Sequence, residues 1–204
     1  MSEPRLVLAS ASPRRTRLLT MLGIEHSVHP AEIPERHLEG ESPEAHVERL
    51  AGEKALAVAA REAGALVLAG DTVVVRDGEI LGKPSGPDDA VRTLLSLAGR
   101  QHVVVSGLAV CTAGEKPRTR VDIARVTLRS FDEAEAKTYV ATGEPMDKAG
   151  SYAIQGRGAA LVTSVEGDYH TVVGLSISGL VALLEGAGWR YAFGRLEPYV
   201  PTAI

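Results

Sequence analysis

Short apolar runs of Val, Leu, Ile and Ala alternate with helical stretches along most of this chain, and that alternation leaves few architectures open. Arg5 to Ala9 reads as a strand. Pro13 to Leu22 follows as a helix, with Ser12 at its N-cap, Pro13 at the first helical position and Gly23 after its end. Glu25 to His29 is a second strand, Pro30 to Glu41 is polar and irregular, and Ser42-Pro43-Glu44 opens a long Ala-rich helix that Gly64 closes. Leu66 to Ala69 is a buried strand ending at Gly70-Asp71, and Thr72 to Arg76 and Glu79 to Leu81 flank Asp77-Gly78, a strong hairpin signal. Pro87 to Leu97 is helical, with Asp88 and Asp89 suited to its first turn. Gln101 to Thr112 and Arg118 to Leu128 are long strands joined by a polar turn. Ser130 with Glu133 forms a capping box for a helix that Gly143 terminates, Leu161 to Val165 is a strand, and Ser176 to Leu184 is a closing helix. Helix–strand alternation followed by hairpins predicts an α/β fold with a mixed sheet.

With 204 residues there is enough chain for one α/β domain over 1–204, expected to fold as two lobes around a central cleft. Aromatic residues are only 4%, so the core has to be built from aliphatic side chains. The formal net charge of -4 argues against a general nucleic-acid binder but not against a small polyanion, for which a few local cations suffice. Cys111 is the single cysteine, which excludes an intrachain disulfide, and its apolar neighbours Leu108-Ala109-Val110 point to an inert core thiol. No apolar run reaches the ~18 residues that a membrane span needs. The first residues lack a signal-peptide layout, so the expected location is the cytoplasm.

Four constellations carry chemistry. Ser10-Ala11-Ser12-Pro13-Arg14-Arg15 runs from a strand into a helix N-terminus, whose free N–H groups favour an anion. Arg14 and Arg15 are misplaced there relative to the helix dipole, unless a phosphate completes the site; solvated surface arginines are the other reading. Gly70-Asp71-Thr72 places an acid at the mouth of an apolar strand, where it is costly unless paired or holding a metal. Gly70 would let a ligand approach the backbone, and the other reading is an Asp that caps a turn. Gly82-Lys83-Pro84 holds a point charge between a flexible and a rigid residue, and Lys54 in the long helix reads as an exposed lysine by default. Finally, Asp147-Lys148-Ala149-Gly150 through Gln155-Gly156-Arg157-Gly158 is a glycine-bordered loop in which Gln155 could read a base or simply turn the chain. A G-x-x-x-x-G-K-[ST] loop, a strand-linked G-x-G-x-x-G, an H-E-x-x-H and a G-x-S-x-G are all missing.

These motifs, together with Val172-Val173-Gly174-Leu175, resemble in residues and order the Maf family of nucleoside triphosphate pyrophosphatases. The resemblance spans nearly the whole chain. It implies an elongated sheet shared by two lobes, like that of inosine triphosphatase-type enzymes, and cleavage between the α- and β-phosphorus atoms with a divalent cation such as Mg or Mn. By position, Asp71 would be the essential acid and a metal ligand, and Arg14, Thr72 and Gln155 would bear on substrate choice. Ser10, Arg15, Lys54 and Lys83 would complete the substrate-binding set. Ser12-Pro13-Arg14-Arg15 without an inserted tryptophan looks like the branch acting on dTTP and UTP rather than the methylated-GTP branch. The family's acidic pair after the second strand appears here as Pro34-Glu35, which leaves Glu35 as the second metal-facing carboxylate, with Glu32 nearby. Ser176 stands where the family usually has proline.

The expected partner is therefore a small nucleoside triphosphate, with no nucleic acid and no membrane; the choice between monomer and homodimer stays open. A non-catalytic regulator of septum formation is the rival from another class. Such a binder would need the cations but no acid beside them.

Overall fold

In the computed structural model, which describes residues 3–200, the short strand β1 (Arg5–Leu8) lies between two parallel partners, β2 (His26–Val28) and β3 (Ala65–Arg76). Leu6, Val7 and Leu8 stand opposite Leu66, Val67 and Leu68, and all six are buried. Near-continuous apolar runs of this kind are what a parallel strand covered on both faces requires. β4 (Glu79–Leu81) folds back antiparallel on β3 through Asp77 and Gly78, whose φ values of 52° and 85° are those of a type I′ turn. β5 (Gln101–Cys111), β6 (Arg118–Leu128) and β7 (Val162–Glu166) complete a seven-stranded sheet of order β2-β1-β3-β5-β6-β7, with β4 on β3. β6 and β7 pair antiparallel, so the sheet is mixed, as expected.

The helices are α1 (Pro13–Met21), α2 (Pro43–Ala59), α3 (Pro87–Leu97), α4 (Glu133–Val140), α5 (Tyr169–Val173) and α6 (Ile177–Gly186). A small hairpin of β8 (Trp189–Tyr191) and β9 (Leu196–Pro198) follows α6. Among the described residues, no helix is long and apolar enough to cross a membrane.

The chain divides into two compact units. One takes the chain through Asp71, Ser106–Asp122 and the chain from Gly174 onward; the other takes Thr72–Val105 and Ile123–Val173. Each has its own core. In the first, Val7, Ala9, Ala51, Ala55, Val58, Val67, Ala109 and Cys111 pack together. Small side chains let α2 lie close to the sheet, and at Gly107 an added Cβ would sit 2.4 Å from the Val47 carbonyl oxygen. Cys111 is a buried core thiol, as its neighbours suggest, and burial raises its pKa. In the second unit, Val74, Leu94, Leu97, Val104, Val126, Leu128, Tyr139 and Tyr152 share one cluster.

Several expectations shift. β3 does not end at Gly70-Asp71 but runs unbroken from Ala65 to Arg76, because the two residues stay extended inside the sheet. α2 ends at Ala59, and a turn rather than helix leads to Gly64, whose φ is 72°. Asp132, not Ser130, caps α4 by accepting from the Glu135 N–H at 2.9 Å. Ser12 does occupy the N-cap of α1, but its side chain makes no capping bond. Ser42 and Ser176 cap α2 and α6 through Ala45 and Gly179.

Candidate active site

The first unit gathers most of the charged candidates. β1 delivers Ser10 to the start of α1, where its Oγ accepts from the Ser12 N–H at 3.2 Å and from Arg15 Nη1 at 2.8 Å. Arg15 is buried, and its Nε donates to the Gly174 carbonyl at 2.8 Å. Burial lowers the pKa of this guanidinium, the charge of Asp71 works against that fall, and Arg14 reinforces it. Val172-Val173-Gly174-Leu175 thus gains a local role: it presents a carbonyl that holds Arg15. Gly70 gains one as well. A Cβ there would come within 3.2 Å of Arg15 Nε and 3.1 Å of Leu108 Cδ2, so the space next to this glycine is taken by the protein's own arginine.

The second group in this unit is built around Lys54. Sequence reasoning treated this lysine as an exposed helical residue by default; it is buried, with only 7% of its surface exposed. Its Nζ donates to Asp71 Oδ1 at 2.7 Å and lies 2.6 Å from Glu35 Oε1. Asp71 is 8% exposed, and its backbone carbonyl accepts from the Ser106 hydroxyl at 3.3 Å. Glu35 comes from the irregular stretch after β2 and keeps about half of its side chain in solvent, at 52%. Two carboxylates converging on one ammonium balance the charge that burial would otherwise make prohibitive. Neither Lys54 nor Ser106 could be singled out from local pattern: each acquires its partner only through packing of α2 and β5 against β3.

Three candidates belong to the second unit. Thr72 follows Asp71 along β3. Lys83 is exposed, in the segment after β4, and the neighbouring Gly82 carbonyl accepts from the Gly150 N–H at 3.2 Å. The Gly82-Lys83-Pro84 motif is thereby tied to the glycine-bordered loop. That loop consists of three 3-10 turns, Glu144–Asp147, Ala149–Ser151 and Gly156–Leu161, with Gln155 half-buried at the start of the third. Gly150 needs to be glycine twice over, for its φ of 69° and because a Cβ would press within 2.9 Å of Val74 Cγ1.

Glu144, which sequence reasoning missed, organises the loop. Its carboxylate accepts from the N–H groups of Arg157 at 3.0 Å and Gly158 at 2.8 Å, and from the Tyr139 hydroxyl at 2.8 Å. Burial alone would raise its pKa, but these three donors together with the charge of Lys148 outweigh it and hold the carboxyl below its ordinary value. The Tyr139 hydroxyl also accepts from the Ala153 N–H at 3.1 Å. An acid between Gly143 and Pro145 is too common a turn pattern to single out from sequence.

The model of the family described as Maf-like protein matches residues 5–187. A dTTP/UTP pyrophosphatase of Myxococcus xanthus is 50% identical over 189 residues, covering 91% of this chain and 95% of that protein. One from Moorella thermoacetica is 51% identical over 185 residues, covering 88% and 93%. Among solved structures, a HAM1 protein from Coxiella burnetii aligns with a TM-score of 0.44 at 16% identity, over 61% of this chain and 73% of that one. A match running from β1 to the end of α6, with relatives near half identity across nine-tenths of the chain, leaves one conclusion: the chain belongs to the Maf-like protein family.

Proposed function

We propose that this chain hydrolyses nucleoside triphosphates to the monophosphate and pyrophosphate, with dTTP and UTP preferred. The observation that carries this reading is the buried Asp71 carboxylate, joined to Glu35 through Lys54, in a chain about half identical to relatives named dTTP/UTP pyrophosphatase. Attack of water on the α-phosphorus needs a proton acceptor and positive charge along the phosphate chain. Asp71 is the acceptor, held at Oδ1 by Lys54. Arg14 in the first turn of α1 and Lys83 after β4 take the phosphate oxygens. Ser10 and Arg15 form the bed under the α1 N-terminus, since Arg15 already donates to Ser10 and Gly174.

A divalent ion fits these residues. Glu35 Oε1 and Asp71 Oδ1 both lie within 2.7 Å of one ammonium nitrogen, so the pair already serves a cation, and carboxylate oxygens are what a hard ion prefers. Glu35 and Asp71 would hold Mg or Mn, which supplies neutralising charge and an activated water when bound.

Gln155 reads the base. A planar amide can pair with the carbonyl and N–H edge that uracil and thymine share, and a mismatched base leaves a polar group unsatisfied at a cost of about 1–3 kcal/mol. The test is kcat/KM for dTTP, UTP, CTP and GTP by pyrophosphate release, wild type against Gln155→Ala. The proposal expects dTTP and UTP to lead in the wild type and the variant to lose that lead. Equal proportional losses on all four nucleotides would remove Gln155 from base recognition, and no pyrophosphate from any of them would overturn the activity.

A further inference from the structure

His37, Glu41 and His46 stand apart from everything assigned above. One potential ligand atom from each lies within 4.8 Å of the other two. His46 Nδ1 is 3.0 Å from Glu41 Oε2, His37 Nδ1 is 3.7 Å from that same oxygen, and the two imidazole rings, tilted by 59°, have centroids 5.1 Å apart. Ligand atoms on a tetrahedral ion with bonds of about 2.0–2.2 Å sit about 3.3–3.6 Å apart, a range that the two distances bracket. We propose that His37, Glu41 and His46 form a binding site for a borderline transition-metal ion such as zinc, separate from the Glu35–Asp71 pair.

The surroundings suit the assignment. His46 is buried in the first turns of α2, and the Glu41 side chain is 8% exposed, so two of the three ligands are fixed by packing. Arg49 Nε donates to Glu41 Oε1 at 2.6 Å and its Nη2 to Oε2 at 2.8 Å, and the Leu38 N–H reaches Oε2 at 3.2 Å. These contacts orient the carboxylate as the outer hydrogen bonds of a metal ligand do. The hydrogen His46 shares with Glu41 is the one an ion would replace, as neutral imidazole nitrogen becomes the ligand. His37 lies on an exposed loop with its Nδ1 already 3.7 Å from Glu41 Oε2. Two nitrogens and one oxygen select zinc or cobalt over magnesium, which prefers oxygen ligands throughout. Bound metal would clasp the irregular stretch carrying Glu35 onto the start of α2.

The test is titration of chelator-treated full-length protein, in saturating Mg, with Zn by calorimetry and with Co by visible absorption. The proposal expects one equivalent that Mg does not displace and an intense tetrahedral cobalt spectrum. Affinity should fall about 100-fold in His46→Gln and at least about 10-fold in His37→Gln, whose exposed position leaves folding untouched. Glu35→Gln should leave this binding as it is. Absence of the equivalent in wild type overturns the proposal, as does binding unchanged in the His37→Gln/His46→Gln double variant or lost only in Glu35→Gln.

Discussion

Asp71 and Lys54 are each more than nine-tenths buried, and each is tolerable there because of the other. This pairing separates their structural and chemical contributions. Lys54→Met removes the cation hydrogen-bonded to a buried carboxylate and should cost about 3–5 kcal/mol in urea unfolding, whereas Lys54→Met/Asp71→Asn should recover most of that loss. Turnover should behave differently. Asp71→Asn alone keeps size and an oxygen acceptor but cannot take a proton, so kcat should fall about 10²–10⁴-fold, and the stable double variant should be equally inactive. A double variant that regains activity along with stability would make Asp71 structural. Asp71 could be read from the sequence because an acid inside an apolar run is costly without a reason. Lys54 stands in the expected substrate-binding set, but its burial against Asp71 could not be read, since a lysine in an Ala-rich helix looks like every other solvated lysine until the packing of α2 is known.

Elements bounded by clear punctuation, such as Pro87–Leu97 and Arg118–Leu128, coincide with the helix and strand read from the sequence. Gly70-Asp71 carries turn chemistry that predicts a break between two strands, yet partners on both sides of β3 override that local preference. The β8–β9 hairpin and α5 gave too short a pattern to register. Glu144 shows what an element-scale view adds. Glu144→Ala strands the N–H groups of Arg157 and Gly158 and the Tyr139 hydroxyl, and should cost about 1–3 kcal/mol. Because these bonds set the backbone directly after Gln155, the variant should also lose the preference for dTTP over GTP while kcat falls less. Unchanged discrimination by kcat/KM would detach Glu144 from base choice. A second element-scale effect comes from His102, buried on β5 with Nε2 against the Tyr152 hydroxyl at 2.7 Å. Burial depresses its pKa to about 4 from an ordinary 6.5. The unfolded chain therefore takes up the proton first. Stability is intact above pH 6.5 and declines as pH falls from 6.5 toward 4, flattening below. In His102→Gln that part of the decline should vanish from urea midpoints measured between pH 7 and 4.5; an identical slope in both proteins would place the titration elsewhere.

At the scale of the molecule, two units each close a core of their own, and the chemistry-bearing motifs are distributed over both. The motif order was legible throughout, because each motif pairs special backbone residues with a charged or amide side chain. The role of Gly174 as the acceptor for Arg15 was not, since a carbonyl contributes through position and not through side-chain identity. The proposed reaction turns on water attacking the α-phosphorus beside Asp71. The most direct test is hydrolysis of dTTP in ¹⁸O-labelled water with Mg, followed by mass spectrometry of both products. The expected products are dTMP carrying the heavy oxygen and unlabelled pyrophosphate. Label in the pyrophosphate would move the attack to the β-phosphorus, and dTDP with orthophosphate would contradict the proposed reaction outright.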